Sequence, residues 1–106
     1  MSRVNRGEVW LVDLGYLAKT RPALVMSIPS LDTDRALVAV VPHTTSQRGT
    51  RFEVVSGLRF LKHGAFDAQN INTVSEAKLI RHLGTAPPDL FNQVIEAVEL
   101  WLGIRP

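Results

Sequence analysis

The chain contains no cysteine. Disulfide staples, thiolate-ligated zinc and thiol catalysis are therefore excluded. Aromatic residues are scarce, 7% of 106, and no apolar run approaches the ~20 residues that a membrane span requires. The opening MSRVNRGEVWLVDL is charged and carries no apolar stretch of signal-peptide length. There is no P-loop, no glycine-rich dinucleotide fingerprint and no GxSxG elbow. Three histidines without cysteine, none with a partner at ligand spacing, argue against a protein-made metal site, and no cofactor is expected. The expectation is a cytoplasmic single domain spanning residues 1–106, large enough to bury about 65% of its surface on folding.

Within that frame, hydrophobic residues make up 45% of the chain. The net charge of +2 is uneven: residues 1–62 carry +4 and residues 63–106 carry −2. Arg48, Arg51, Arg59 and Lys62 are opposed locally only by Glu53. A one-sided basic surface suits a phosphate backbone, and it also fits an ordinary solvated face.

The first two-thirds reads as short strands. Gly7–Leu14 is rich in β-branched and aromatic residues, as strands prefer. The apolar runs Ala23–Ser27 and Ala36–Val41 are bounded by Pro22, Pro29 and Pro42 and are too short for helices. Thr50–Val55 alternates, with Phe52 and Val54 on one face and Arg51 and Glu53 on the other. Gly64–Asn72 is a further candidate strand. Thr73 and Glu76, three apart, have the spacing of a capping box and predict a short helix ending near Gly84. A second helix is predicted from Pro88 to Gly103, with Asp89 in its first turn and Leu90, Val94, Ile95, Val98 and Leu102 as its apolar stripe. Strands followed by a packing helix argue for an α+β, mostly β domain, a small barrel or rolled sheet.

Three polar segments could carry chemistry. Arg21 precedes Pro22, which biases it to extended backbone, and its planar fork could clamp a phosphate; it also reads as a solvated loop arginine beside Lys19. Pro42–Arg48 (PHTTSQR) gathers hydroxyls, an imidazole, an amide and a guanidinium at one strand end. His43 titrates near neutrality, and the same stretch also fits a plain Ser/Thr turn. Asp67–Asn72 (DAQNIN) offers amides suited to base edges and one carboxylate able to take a proton, or is simply a turn.

These segments, in this order, resemble the MazF/PemK family of toxin endoribonucleases. The likeness runs from Arg6–Leu14 through Thr20–Val25, Val41–Thr45, Arg51–Val55 and Asn70–Val74 to the terminal helix. It implies an SH3-like barrel with a C-terminal helix, acting as a homodimer. It also implies metal-independent cleavage of single-stranded RNA, mRNA among the targets, to 2′,3′-cyclic phosphate and 5′-hydroxyl ends, under control of a cognate antitoxin. Arg21 matches the family arginine at the transferring phosphate. Thr44 matches the threonine that binds a non-bridging oxygen, with Thr45 as the alternative register. His43 and Asp67 are candidate bases, and Gln69 stands beside Asp67 where some members carry a carboxylate. Lys19, Gln47, Arg48, Arg51, Asn70 and Asn72 form the expected RNA-contacting set. Asn72 stands where many members have Arg or Lys, which removes one positive charge from the groove, and the Gly15–Thr20 loop that helps gate it is short for the family; activity is expected and cleavage specificity is left open.

Two competing readings remain. One is a CcdB-like gyrase-targeting toxin of the same fold, suggested by Trp101-Leu102-Gly103-Ile104, which differs from that group's terminal Trp-Gly-Ile by one leucine. On the helix reading Trp101 equally serves core packing or a dimer seam. The other is a non-catalytic RNA-binding module.

Overall fold

The computed structural model describes residues 3–15 and 19–104, with Lys19 described by its backbone alone. Seven strands and one long helix follow in the order β1 (Glu8–Gly15), β2 (Lys19–Val25), β3 (Leu37–Thr44), β4 (Glu53–Val55), β5 (Ala65–Asp67), β6 (Asn72–Ser75), β7 (Leu79–Thr85) and α1 (Pro88–Trp101). All pairings are antiparallel. The strand path is β4-β5-β3-β2-β1-β7, with β6 on the β3 edge. The mostly β α+β fold with a terminal helix is thus as expected. The barrel is open: β4 and β7 end the path without pairing. The ring of Phe60, from the loop after β4, lies over Gly84 of β7 so closely that a Cβ there would come within 2.6 Å of it.

Both faces of the central strands are buried, which explains why β2 and β3 read as continuous apolar runs rather than alternating ones. Val9, Leu24 and Val41 point to one core, with Phe52, Phe66 and the helix residues Leu90, Val94, Ala97 and Val98. Their neighbours Trp10, Val12, Ala23, Val25 and Val40 point to a second core with Val4, Val38 and Leu79. Helix α1 begins at Pro88, as predicted, with Asp89 in its first turn. Its end is a Schellman cap: Gly103 has φ of 71° and donates to the Leu100 carbonyl, while Ile104 donates to Glu99. Leu102 is the C-cap and is exposed rather than part of the apolar stripe. Val94 is fully buried beneath the sheet. Val94→Ala should lower stability by about 2 kcal/mol in chemical denaturation, through the lost methyl burial and the cavity left behind.

Four local expectations are corrected. Residues 73–84 form β6, a short 3-10 turn (Glu76–Lys78) and β7 rather than a helix: Thr73 pairs with Ala39, and Leu79–Thr85 pairs with β1. Tertiary pairing overrides the local capping signal there, and Ser75 makes no side-chain cap bond. Gly64–Asn72 is divided, because Ala68–Asn70 is a 3-10 turn capped by Asp67. The fourth strand is shorter than Thr50–Val55, since residues 51–52 are a turn. Arg21 lies inside β2, opposite Val12, rather than at a strand mouth. Most of the Gly15–Thr20 loop lies outside the described residues. No helix among the described residues is long and apolar enough to cross a membrane.

Candidate active site

The site arises where β3 changes partners. Ala23, Leu24 and Val25 of β2 pair with Pro42, Val41 and Val40. On its other edge β3 ladders first to β6, Leu37–Val40 with Asn72–Ser75, and then, past Pro42, to β5, His43 with Phe66 and Thr44 with Ala65. Continuing the β2–β3 register from Ala23↔Pro42 sets Arg21 opposite Thr44, just past the last described pair of that ladder. Pro22 is accommodated because the described β2–β3 pairs begin at the next residue.

A cleft of about 560 Å³ opens at this point. The three polar segments converge on it: Arg21 from β2, His43 and Thr44 from the end of β3, and Asp67, Gln69, Asn70 and Asn72 from the turn beside β3. Arg48 joins them from the following loop. Thr45, Gln47 and Arg51, expected in the RNA-contacting or catalytic set, do not line it. Gln47 Nε2 lies 3.4 Å from His63 Nε2, and the Arg51 guanidinium covers the Phe52 ring at 4.8 Å. The Lys19 side chain is outside the described residues. Ser46, from the PHTTSQR segment, also lines the cleft, and Leu14, Thr50 and Glu53 line it without having been expected there.

The side chains of the cleft are held in defined states. Thr44 Oγ1 accepts the Ser46 N–H at 3.0 Å, the turn bond foreseen for a Ser/Thr segment. Accepting that bond leaves the hydroxyl proton free to be donated. Asp67 accepts from the Gln69 N–H at 3.2 Å and from Asn70 Nδ2 at 2.6 Å, which orients carboxylate and amide together. His43 is only 3% exposed. Its Nε2 shares a 2.9 Å hydrogen bond with Ser56 Oγ, which also donates to the Gly64 carbonyl, and its ring stands edge-on to Phe66. Burial foremost, then electrostatic interaction with His63, pushes the imidazole below its ordinary pKa.

Glu53 has a role that its sequence position does not suggest. Its carboxylate accepts the Arg48 N–H with both oxygens, at 3.1 and 3.0 Å, and the Thr50 N–H at 2.8 Å. The Arg48 bond foremost, then that of Thr50, holds its carboxyl below the usual carboxylate range. Among the described residues no three His, Cys, Asp or Glu side chains gather as metal ligands would.

Residues 5–102 match the model of the PemK-like, MazF-like toxins of type II toxin–antitoxin systems. The chain belongs to the PemK/MazF toxin family. It is 33% identical over 104 residues to Endoribonuclease MazF1 of Mycobacterium bovis and equally to Endoribonuclease MazF4 of Mycobacterium tuberculosis, covering 98% of this chain and 97% of each relative. Among solved structures, a mycobacterial endoribonuclease in complex with its cognate antitoxin superposes with a TM-score of 0.83 at 30% identity, over 97% of this chain and 98% of that one. MazF of Deinococcus radiodurans shares the fold at a TM-score of 0.81, with 23% identity over 94% and 96% of the two chains. In this PemK/MazF chain, Trp101 is the last residue of α1 and packs edge-on against Phe52, and the residues after it cap the helix. The segment that suggested a gyrase poison therefore ends and anchors the helix.

Proposed function

We propose that this chain is the toxin of a type II toxin–antitoxin pair and an endoribonuclease that cuts single-stranded RNA, mRNA included, without a metal ion. The observation that carries this reading is the meeting of Arg21 and Thr44 on one cleft, in a family whose curated relatives of similar length are named endoribonucleases. RNA brings its own nucleophile, so the protein has to align groups, move protons and stabilise charge.

In the proposed reaction the 2′-oxygen attacks phosphorus as its proton passes to a base. The bond from phosphorus to the 5′-oxygen then breaks, and that oxygen takes up a proton. The products are a 2′,3′-cyclic phosphate and a 5′-hydroxyl. Arg21 neutralises charge gathering on the equatorial oxygens; a guanidinium, always protonated, is a poor proton donor. Thr44 donates its hydroxyl to a non-bridging oxygen. Asp67 and His43 both line the cleft, and Asp67 is better placed as the base because it is half-buried, while the His43 ring is buried and bonded to Ser56. Arg48, Gln69, Asn70 and Asn72 contact the strand on either side. A homodimer and a cognate antitoxin complete the proposed assembly, as the antitoxin complex of the mycobacterial relative suggests.

The test is incubation of purified protein with a long single-stranded RNA in EDTA, with new ends mapped by primer extension. Discrete cuts bearing 5′-hydroxyl ends are expected. Absence of cuts from folded protein across several RNAs would overturn the ribonuclease reading, and loss of cleavage on chelation would overturn its metal independence.

A further inference from the structure

Glu53 poses an electrostatic problem. Resting on the ribonuclease reading, the cleft must accept a polyanion, yet Glu53 places a carboxylate in its wall. The geometry assigns that carboxylate a purpose. Three consecutive backbone N–H groups, of Arg48, Gly49 and Thr50, turn toward it. Gly49 between them has a φ of 72°, the left-handed conformation that glycine adopts freely, so the three N–H groups form a concave nest of the kind that binds anions. The turn is closed further by Glu53 N–H donating to the Thr50 carbonyl and by Phe52 N–H donating to Thr50 Oγ1.

We propose that Glu53 is a positioning residue for RNA: its carboxylate fills the 48–50 nest, fixes the backbone that carries Arg48, and keeps RNA phosphates out of the nest and on Arg48. Arg48 then enters the cleft from a rigid base, and its charge works against phosphate at a fixed distance from Arg21 and Thr44. Glutamate suits the place because it accepts from several N–H groups with two oxygens, which a neutral amide with one acceptor oxygen does only in part.

The sign of the effect separates this from a simple charge effect. Removing an anion from the wall of an RNA cleft should, by electrostatics alone, tighten RNA binding. Positioning predicts the reverse. For Glu53→Gln, KM for a cleaved RNA should rise roughly tenfold, the scale of one charge-assisted hydrogen bond, with kcat within about twofold of wild type. The slope of log affinity against log salt should fall in magnitude by about 0.7, the share of one phosphate contact on a single strand. Arg48→Ala should do the same, and the double variant should be no worse than either single one, because both remove one contact. Hydrogen exchange at the Arg48 and Thr50 amides should quicken in Glu53→Gln while the core amides keep their protection.

An unchanged or lower KM overturns the proposal, as does full additivity with Arg48→Ala or unchanged exchange at those two amides. Failure of the wild type to cut any RNA defeats the ribonuclease reading and the RNA-positioning role with it. A wild type that cuts normally beside a Glu53→Gln variant with unchanged KM defeats the positioning role alone.

Discussion

Arg21→Ala should lower the cleavage rate on the order of 10³-fold, the effect of removing a charged donor aimed at a developing oxyanion or phosphorane. The same substitution should leave stability within about 0.5 kcal/mol, because Arg21 is exposed and no described packing depends on its head group. The separation of the two effects follows from its place in the sheet. Its backbone belongs to β2, paired with Val12, so a truncated side chain leaves the ladder intact. Arg21 lines the cleft just past the last β2–β3 pair, on the edge of β3 opposite β5. Arg21→Lys keeps the charge and loses the planar fork, so it should restore only part of the rate. Thr44 supplies a matching control: Thr44→Ser retains the donor and should retain most activity, and Thr44→Ala should not. Single-turnover rates on one mapped site, with melting curves for each variant, decide the matter. A near-normal rate in Arg21→Ala would remove the arginine from the chemistry.

The elements that could be read from sequence are those whose signal is local. Pro88 and the spacing of Leu90, Val94 and Val98 define α1 without reference to the rest of the chain. The apolar runs of β2 and β3 follow from burial on both faces. β7 has no such signal. It ends the strand path, and register shifts on its β1 partner between Val9 and Trp10 and between Leu11 and Val12 remove any period of two from its exposure. It is held by its ladder to β1, by Leu79 in the second core and by the stack of His82 on Trp10, contacts between residues about 70 apart in the chain.

The site shows the same division. Arg21, Thr44 and Asp67 stand out by residue type and by their neighbours. Glu53 does not, because its partners are backbone N–H groups, which every residue but proline possesses. His43 reads as a titrating group in PHTTSQR, and it is Phe66 and Ser56, distant in sequence, that bury it.

Gly64→Ala should damage both fold and site, although its backbone is not in the left-handed region. A methyl at Gly64 would overlap the Thr44 carbonyl oxygen and lie 2.7 Å from His43 Cε1. The first obstacle is backbone already committed to the β3–β5 ladder; the second is a buried ring tied to Ser56. Neither can swing aside as an exposed side chain would, so β5 must move away from β3. Forced overpacking of this kind costs about 1–3 kcal/mol or more, and for a domain of this size each kcal/mol lowers Tm by roughly 4–8 °C. The displacement falls on Thr44 itself, so cleavage by the remaining folded protein should drop as well. Gly57→Ala is the comparison: Gly57 has φ of 61° with nothing within 4 Å of a Cβ, so its cost of about 1–2 kcal/mol is conformational alone and remote from the chemistry. Gly57→Ala should therefore keep wild-type cleavage at temperatures where it is folded, and Gly64→Ala should not. Equal cleavage by the two folded variants would mean that the close approach of Gly64 to Thr44 does not set the geometry of the site.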